Sequence, residues 1–187
     1  MRLFVALPIA ADDVVARAAE VQRQWSRLKG IRWVAPHQLH FTLKFLGEVP
    51  EQRLAAAKGA LESVKAGAFA ITLAGLGTFP PGRPARVVWV GCAAGGEQLV
   101  ALAQRVEQAF AAAGFPVEQR PFKPHLTLGR VKDEREARSV SRAVEENPGA
   151  LLGTLTAAEI VLFQSVLSPA GPTHTALIRR SLGVDVP

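Results

Sequence analysis

The pattern His-x-Thr-Leu occurs twice, as His40-Phe41-Thr42-Leu43 and as His125-Leu126-Thr127-Leu128, and each copy reads as part of a strand. Side chains alternate between the two faces of a strand, so each histidine shares a face with the threonine two positions on. The apolar residues of each copy then turn to the opposite, packed face. If the two strands lie side by side, one pocket gains two imidazoles and two hydroxyls. That set can move protons at a phosphate without a metal ion.

The elements around the two copies follow the same order. Leu3 to Leu7 is a short apolar run closed by Pro8, and Val14, Ala18, Val21, Trp25 and Leu28 then recur at helical spacing until Gly30. Ile31 to Val34 reads as a brief strand and His40 to Leu46 as a longer one ended by Gly47. Leu54, Ala57, Leu61 and Val64 line one face of a helix that starts near Pro50, and Phe69 to Leu76 returns as a strand. Gly75 to Ala85, rich in glycine and proline, reads as a surface loop carrying Arg83. Beyond it come a strand at Val87 to Val90, a helix carrying Leu99, Leu102, Val106, Phe110 and Ala113, and the second histidine strand. A polar helix from Asp133 to Glu146 and two strands, roughly Ala157 to Leu167 and His174 to Leu182, complete the chain. Strand, helix, short segment, histidine strand, helix and strand therefore occur twice. Leu3 to His40 and Val88 to His125 each span 37 positions. The expectation is an α+β fold built on a duplicated unit, against the plainer alternative of an ordinary alternating α+β chain.

Composition bounds the class. A chain of 187 residues with 49% hydrophobic and 20% charged residues can bury a proper core and does not read as disordered. The net charge of +6 favours an anionic partner without naming one. Cys92 is the only cysteine, which rules out an intrachain disulfide, and it reads as an inert strand residue in a reducing compartment. The apolar start at Met1 to Pro8 is too short for a signal peptide, and no stretch approaches the roughly 20 apolar residues of a membrane helix. A soluble, cytoplasmic protein is expected, with no membrane association.

The two motifs and their flanks resemble the two-histidine phosphoesterase superfamily. Arg2-Leu3-Phe4-Val5-Ala6-Leu7, Arg32-Trp33-Val34, Leu43-Lys44-Phe45-Leu46-Gly47, Gly77-Thr78-Phe79-Pro80, Pro124-His125 and Ser168-Pro169-Ala170-Gly171-Pro172 are similar to the RNA 2',3'-cyclic phosphodiesterases, also called 2'-5' RNA ligases. The resemblance runs along nearly the whole chain. It implies that residues 1–187 form a single bilobal domain with an antiparallel sheet in each lobe, outer helices, a central cleft and a pseudo-two-fold relation between the lobes. It also implies hydrolysis of an RNA 2',3'-cyclic phosphate to a 2'-phosphate, reversible 2'-5' RNA ligation and no cofactor. The partners implied are RNA ends or small cyclic nucleotides, acted on by a monomer.

The residues carry roles suited to that reaction. Two imidazoles can act as general acid and general base near neutral pH, and threonine hydroxyls can hold the non-bridging oxygens. By resemblance His40 donates a proton to the leaving oxygen and His125 activates water, although the near-symmetry of the motifs leaves those roles exchangeable. Thr42, Thr127 and Arg130 are expected to hold the phosphate. Strict alternation from His125 places Arg130 on the wrong face, so a bulge or the strand's end must turn it inward. His174 is a further candidate for the cleft, and His37 reads as a surface residue. Lys44 shares the parity of His40 and either meets phosphate or is a solvated strand lysine. Phe79, Phe122 and Trp33 either stack on bases or pack in the core. No histidine pair has metal-ligand spacing and no Gly-rich phosphate loop appears, so neither a metal site nor ATP use is expected. The alternatives are a non-catalytic RNA-binding module and a phosphodiesterase for another small cyclic phosphate.

Overall fold

A computed structural model describes residues 1–28, 30–169 and 171–183. Ala170, within the Ser168 to Pro172 stretch, and residues 184–187 lie outside the described residues.

Strands β1 (Arg2–Pro8), β3 (His40–Glu48), β8 (Glu159–Ser168) and β9 (Gly171–Ser181) form one antiparallel sheet in the order β3-β1-β8-β9. A second sheet has the order β2-β6-β5-β4-β7, from β2 (Ile31–Trp33), β4 (Phe69–Phe79), β5 (Val87–Ala94), β6 (Leu126–Val131) and β7 (Leu151–Ala157). Helices α2 (Leu54–Ser63) and α3 (Gly96–Ala112) pack over the first sheet, and α1 (Asp12–Gln24) and α4 (Glu134–Glu146) pack over the second. The α+β class, the antiparallel sheet in each lobe and the outer helices are therefore as the sequence led one to expect. Among the described residues no helix is long and apolar enough to cross a membrane.

The duplication is visible in the pairing. In each sheet an inner strand, β1 or β5, lies between the histidine strand, β3 or β6, and a second partner, β8 or β4. The lobes are not consecutive halves of the chain, because β2 and β4 cross into the second sheet while β8 and β9 return to the first. The equal 37-residue spacing does not mark equivalent residues. Thr42 pairs with Ala6 and Thr127 with Trp89, so the structural mate of Val88 is Val5 rather than Leu3.

Burial explains most of the elements. Leu3 to Leu7 are all buried, and Leu3, Val5 and Leu7 join Phe41, Leu43, Val90, Leu126, Leu128, Ile160 and Leu162 in one core shared by both sheets. Helix α4 is mostly polar and buries Ala137, Val140 and Val144, of which Val140 and Val144 cluster with Ile31, Ala85 and Val88. Its first turn is held by the Asp133 carboxylate, which accepts from the Arg135 backbone N–H at 2.9 Å.

One strand runs further than expected, and one is added. The strand expected to stop at Leu76 continues to Phe79, because Leu76 to Phe79 pair with β5 and the Trp89 ring covers the bare face of Gly77. Tertiary pairing outweighs the local cost of the glycines. The strand expected at Ala157 to Leu167 is β8, and β7, at Leu151–Ala157, is an additional strand before it. The buried residues of β7 are Leu152, Leu155 and Ala157, and the register shift beside Gly153 breaks the period-two signal that would have marked it.

Candidate active site

Each histidine is fixed by the carbonyl two residues before it. The single turn at Pro36–Gln38 sets Gln38 so that its carbonyl accepts from His40 Nδ1 at 2.6 Å. On the other lobe the Lys123 carbonyl accepts from His125 Nδ1 at 2.7 Å, immediately before β6. A carbonyl can only accept, so in both neutral rings the proton resides on Nδ1 and Nε2 presents its lone pair. His40 Nε2 lies 3.1 Å from the Thr42 hydroxyl, which donates to it. The parity argument from the sequence thus produces a direct contact.

His40, Thr42, His125, Thr127 and Arg130 all line one cavity of about 690 Å³ between the two sheets. Its wall also carries Arg2 and Arg32, and no Asp or Glu is among the described residues that line it. Aromatic rings set the histidines in place. Phe4 packs on His40 at 5.2 Å between centroids, and Phe79 meets His125 edge to face at 5.0 Å. Burial pushes the His40 pKa from 6.5 to about 4, assisted by the nearby His174 and the Arg130 charge and opposed by the Gln38 carbonyl. Burial also lowers His125, with Arg130 contributing, and lowers His174.

Arg130 reaches the cleft through a bulge. Trp89 pairs with Thr127 and Val88 with Gly129, so Leu128 is the extra residue and the alternation changes phase after it. The same irregularity recurs on the other lobe, where Ala6 pairs with Thr42 and Val5 with Lys44, leaving Leu43 extra. Phe45, 63% exposed, therefore faces the cavity at the position matching Arg130. Lys44 is turned away from the cleft, which corrects both readings of it. It is only 4% exposed, and its ammonium donates to Glu107 Oε1 at 2.6 Å and to the Pro116 carbonyl at 2.8 Å.

A family model described as the 2'-5' RNA ligase superfamily matches residues 11–165. The chain belongs to that superfamily. The RNA 2',3'-cyclic phosphodiesterase of Archaeoglobus fulgidus is 38% identical over 178 residues, covering 95% of this chain and 98% of that one. A crystal structure of a Thermus thermophilus protein superposes with a TM-score of 0.83 at 32% identity, covering 99% of this chain and all of that one. E. coli LigT complexed with 3'-AMP superposes with a TM-score of 0.75 at 27% identity, covering 97% of this chain and 96% of that one.

The remaining candidates in this 2'-5' RNA ligase superfamily member divide. His174 lines the cavity edge-on to His40, with ring centroids 5.6 Å apart, and its Nδ1 is buried without a hydrogen-bond partner. A bare nitrogen is cheaper to bury there than an unpaired N–H, so its neutral ring carries the proton on Nε2. His37 is exposed at the cavity's edge. Trp33 faces the cavity and also touches the core, Phe122 packs against the core, and Phe79 packs between Trp89 and His125. Cys92 is half-buried on β5, and burial raises its thiol to about 11. Sequence reasoning assigned no role to Arg2, Arg32, Phe45 or Ser165, all of which line the cavity. Arg2, Arg32 and Phe45 were all present in the family-like flanks, but the turn of Phe45 toward the cleft depends on a bulge that sequence alternation does not show. Among the described residues no three His, Cys, Asp or Glu side chains cluster as a bound metal ion would need.

Proposed function

We propose that this cleft hydrolyses the 2',3'-cyclic phosphate at an RNA end to a 2'-phosphate by acid-base chemistry between His40 and His125, without a metal ion. One observation carries the reading: two imidazoles with the same Nδ1-to-carbonyl anchoring line a single cavity whose other ionisable wall residues are cationic or histidine. Water attacks phosphorus while His125 Nε2 takes its proton. The bond from phosphorus to the 3'-oxygen breaks, and protonated His40 gives its proton to that oxygen. The products are a 3'-hydroxyl and a 2'-phosphate. Thr42, Thr127 and Arg130 hold the non-bridging oxygens as their charge rises, Arg130 with a forked donor suited to phosphate. A 5'-hydroxyl of a second RNA in place of water would form a 2'-5' linkage by the same proton transfers.

With its pKa lowered to about 4, His40 is neutral at pH 7, so its work as the acid depends on the substrate. The phosphate's negative charge favours the imidazolium, and the Gln38 carbonyl already accepts from its other nitrogen. Related proteins support the substrate class: the Archaeoglobus fulgidus relative carries the name RNA 2',3'-cyclic phosphodiesterase, and E. coli LigT was crystallised with 3'-AMP. The same reading takes the chain as one two-lobed domain, acting as a monomer in the cytoplasm on RNA ends or small cyclic nucleotides.

The test is product mapping. Adenosine 2',3'-cyclic phosphate and a dinucleotide ending in the same group are incubated with the protein after exhaustive chelation, and products are separated by chromatography. The 2'-phosphate is expected from both. A 3'-phosphate, or binding without turnover, would overturn the reading, and activity restored only by a divalent ion would remove metal independence.

A further inference from the structure

Arg32 and Arg130 are directly opposite each other where β2 pairs with β6, and both line the cavity. Opposed residues of an antiparallel pair share a face with their Cβ atoms about 5 Å apart, and like charges in that position repel. The described cavity wall carries no Asp or Glu of its own. The two guanidinium groups give this part of the wall the donor chemistry that suits phosphate oxygens. Arg130 is near enough to the reacting centre to depress both His40 and His125. Arg32 belongs to the edge strand, one inter-strand step further from His125. Its guanidinium lies over Gly171, in space that a side chain at that position would fill, and Gly171 also lines the cavity. The positive charge is thereby held at the wall rather than swinging in solvent.

We propose that the cleft binds two phosphates at once: the reacting cyclic phosphate beside Arg130, and the phosphodiester on the 5' side of the same terminal nucleotide beside Arg32. This rests on the cyclic-phosphodiesterase reading and narrows it to an oligonucleotide end, with Arg32 as the residue that distinguishes it from a cyclic mononucleotide. Arginine suits this task because its forked donors meet phosphate oxygens in pairs and its charge does not titrate.

The experiment compares kcat/KM for three substrates: adenosine 2',3'-cyclic phosphate, the dinucleotide ApA with the same cyclic end, and that dinucleotide with an uncharged methylphosphonate linkage. The native protein should favour the charged dinucleotide over the uncharged one by about 10-fold at low salt, with the gap narrowing as salt rises. Arg32→Gln should remove the gap and leave the mononucleotide within about two-fold, and Arg32→Lys should restore part of it. No gap in the native protein would overturn the proposal, and that arm needs no variant to fold. An equal loss on all three substrates in Arg32→Gln would also overturn it. Should the native protein hydrolyse none of them, the catalytic reading fails on its own. The two-phosphate cleft is then decided by calorimetry, with adenosine 2',5'-bisphosphate binding more tightly than 2'-AMP to the native protein and equally to Arg32→Gln. Equal binding of both ligands to the native protein would sink it.

Discussion

Leu43 and Leu128 hold the same place in the two lobes: each is the extra residue of a β-bulge, passed over where its strand pairs with the inner strand of its sheet. Lys44 and Phe45 on β3, and Gly129 and Arg130 on β6, are thereby turned by one position relative to simple alternation. The bulge brings Arg130 and Phe45 to the cleft and sends Lys44 to the packed side. The two lobes therefore share a His-x-Thr frame and differ at one corner, a cation on one side and an aromatic ring on the other.

Leaving-group chemistry separates the histidines. His40→Ala and His125→Ala should each lower kcat by about 10²- to 10⁴-fold, the usual range for an acid or base. A substrate with a much better leaving group needs little protonation, so it should restore His40→Ala far more than His125→Ala. Rescue confined to His125→Ala would exchange the roles, and equal rescue would remove the assignment.

The buried histidine makes stability depend on pH. His40 sits at about 4 in the fold and at about 6.5 when unfolded, so the unfolded chain binds more protons between those values. Stability is then fully present above pH about 6.5 and declines as the pH falls toward about 4, with His125 and His174 acting in the same direction. Urea midpoints measured across that interval should fall less steeply for His40→Phe than for the native protein. Parallel curves would mean that His40 is not the group responsible.

Lys44 and Glu107 form a pair with the lysine side chain 1% exposed. Removing only the carboxylate strands a buried ammonium, so Glu107→Ala should cost about 3 kcal/mol in urea denaturation. Lys44→Met combined with Glu107→Gln should recover most of that loss. A cost below about 1 kcal/mol for Glu107→Ala would show that the Pro116 carbonyl and water suffice for the lysine.

Gly129 lets β2 approach β6. A Cβ there would lie 2.7 Å from Ile31 Cγ2 and 2.8 Å from Trp33 Cε3, both on the strand that carries Arg32. Gly129→Val should destabilise the fold by about 1–3 kcal/mol through overpacking. It should also reduce kcat/KM for a cyclic dinucleotide in the fraction that remains folded, by shifting Arg130 against Arg32. Native stability and activity together would show that β2 yields without consequence.

The chain's own residues determined the pairing of each histidine with its threonine. Strand periodicity places His40 with Thr42 and His125 with Thr127, the helical repeats and stop signals mark α1 and α3, and the two copies point to two related lobes. All of that is local, because a period of two or of 3.6 is a property of neighbouring residues. Which strands pair is not local. Nothing near Phe69 or Glu159 states that β4 joins the second sheet and β8 the first, since that outcome depends on which exposed edge and which apolar face each strand can cover. A bulge is likewise a relation between two strands: Leu128 is extra only because Trp89 and Val88 accept Thr127 and Gly129. The sequence therefore determined what the site is made of, and tertiary pairing decided that Arg130 and Arg32 would face it together while Lys44 would be buried against Glu107.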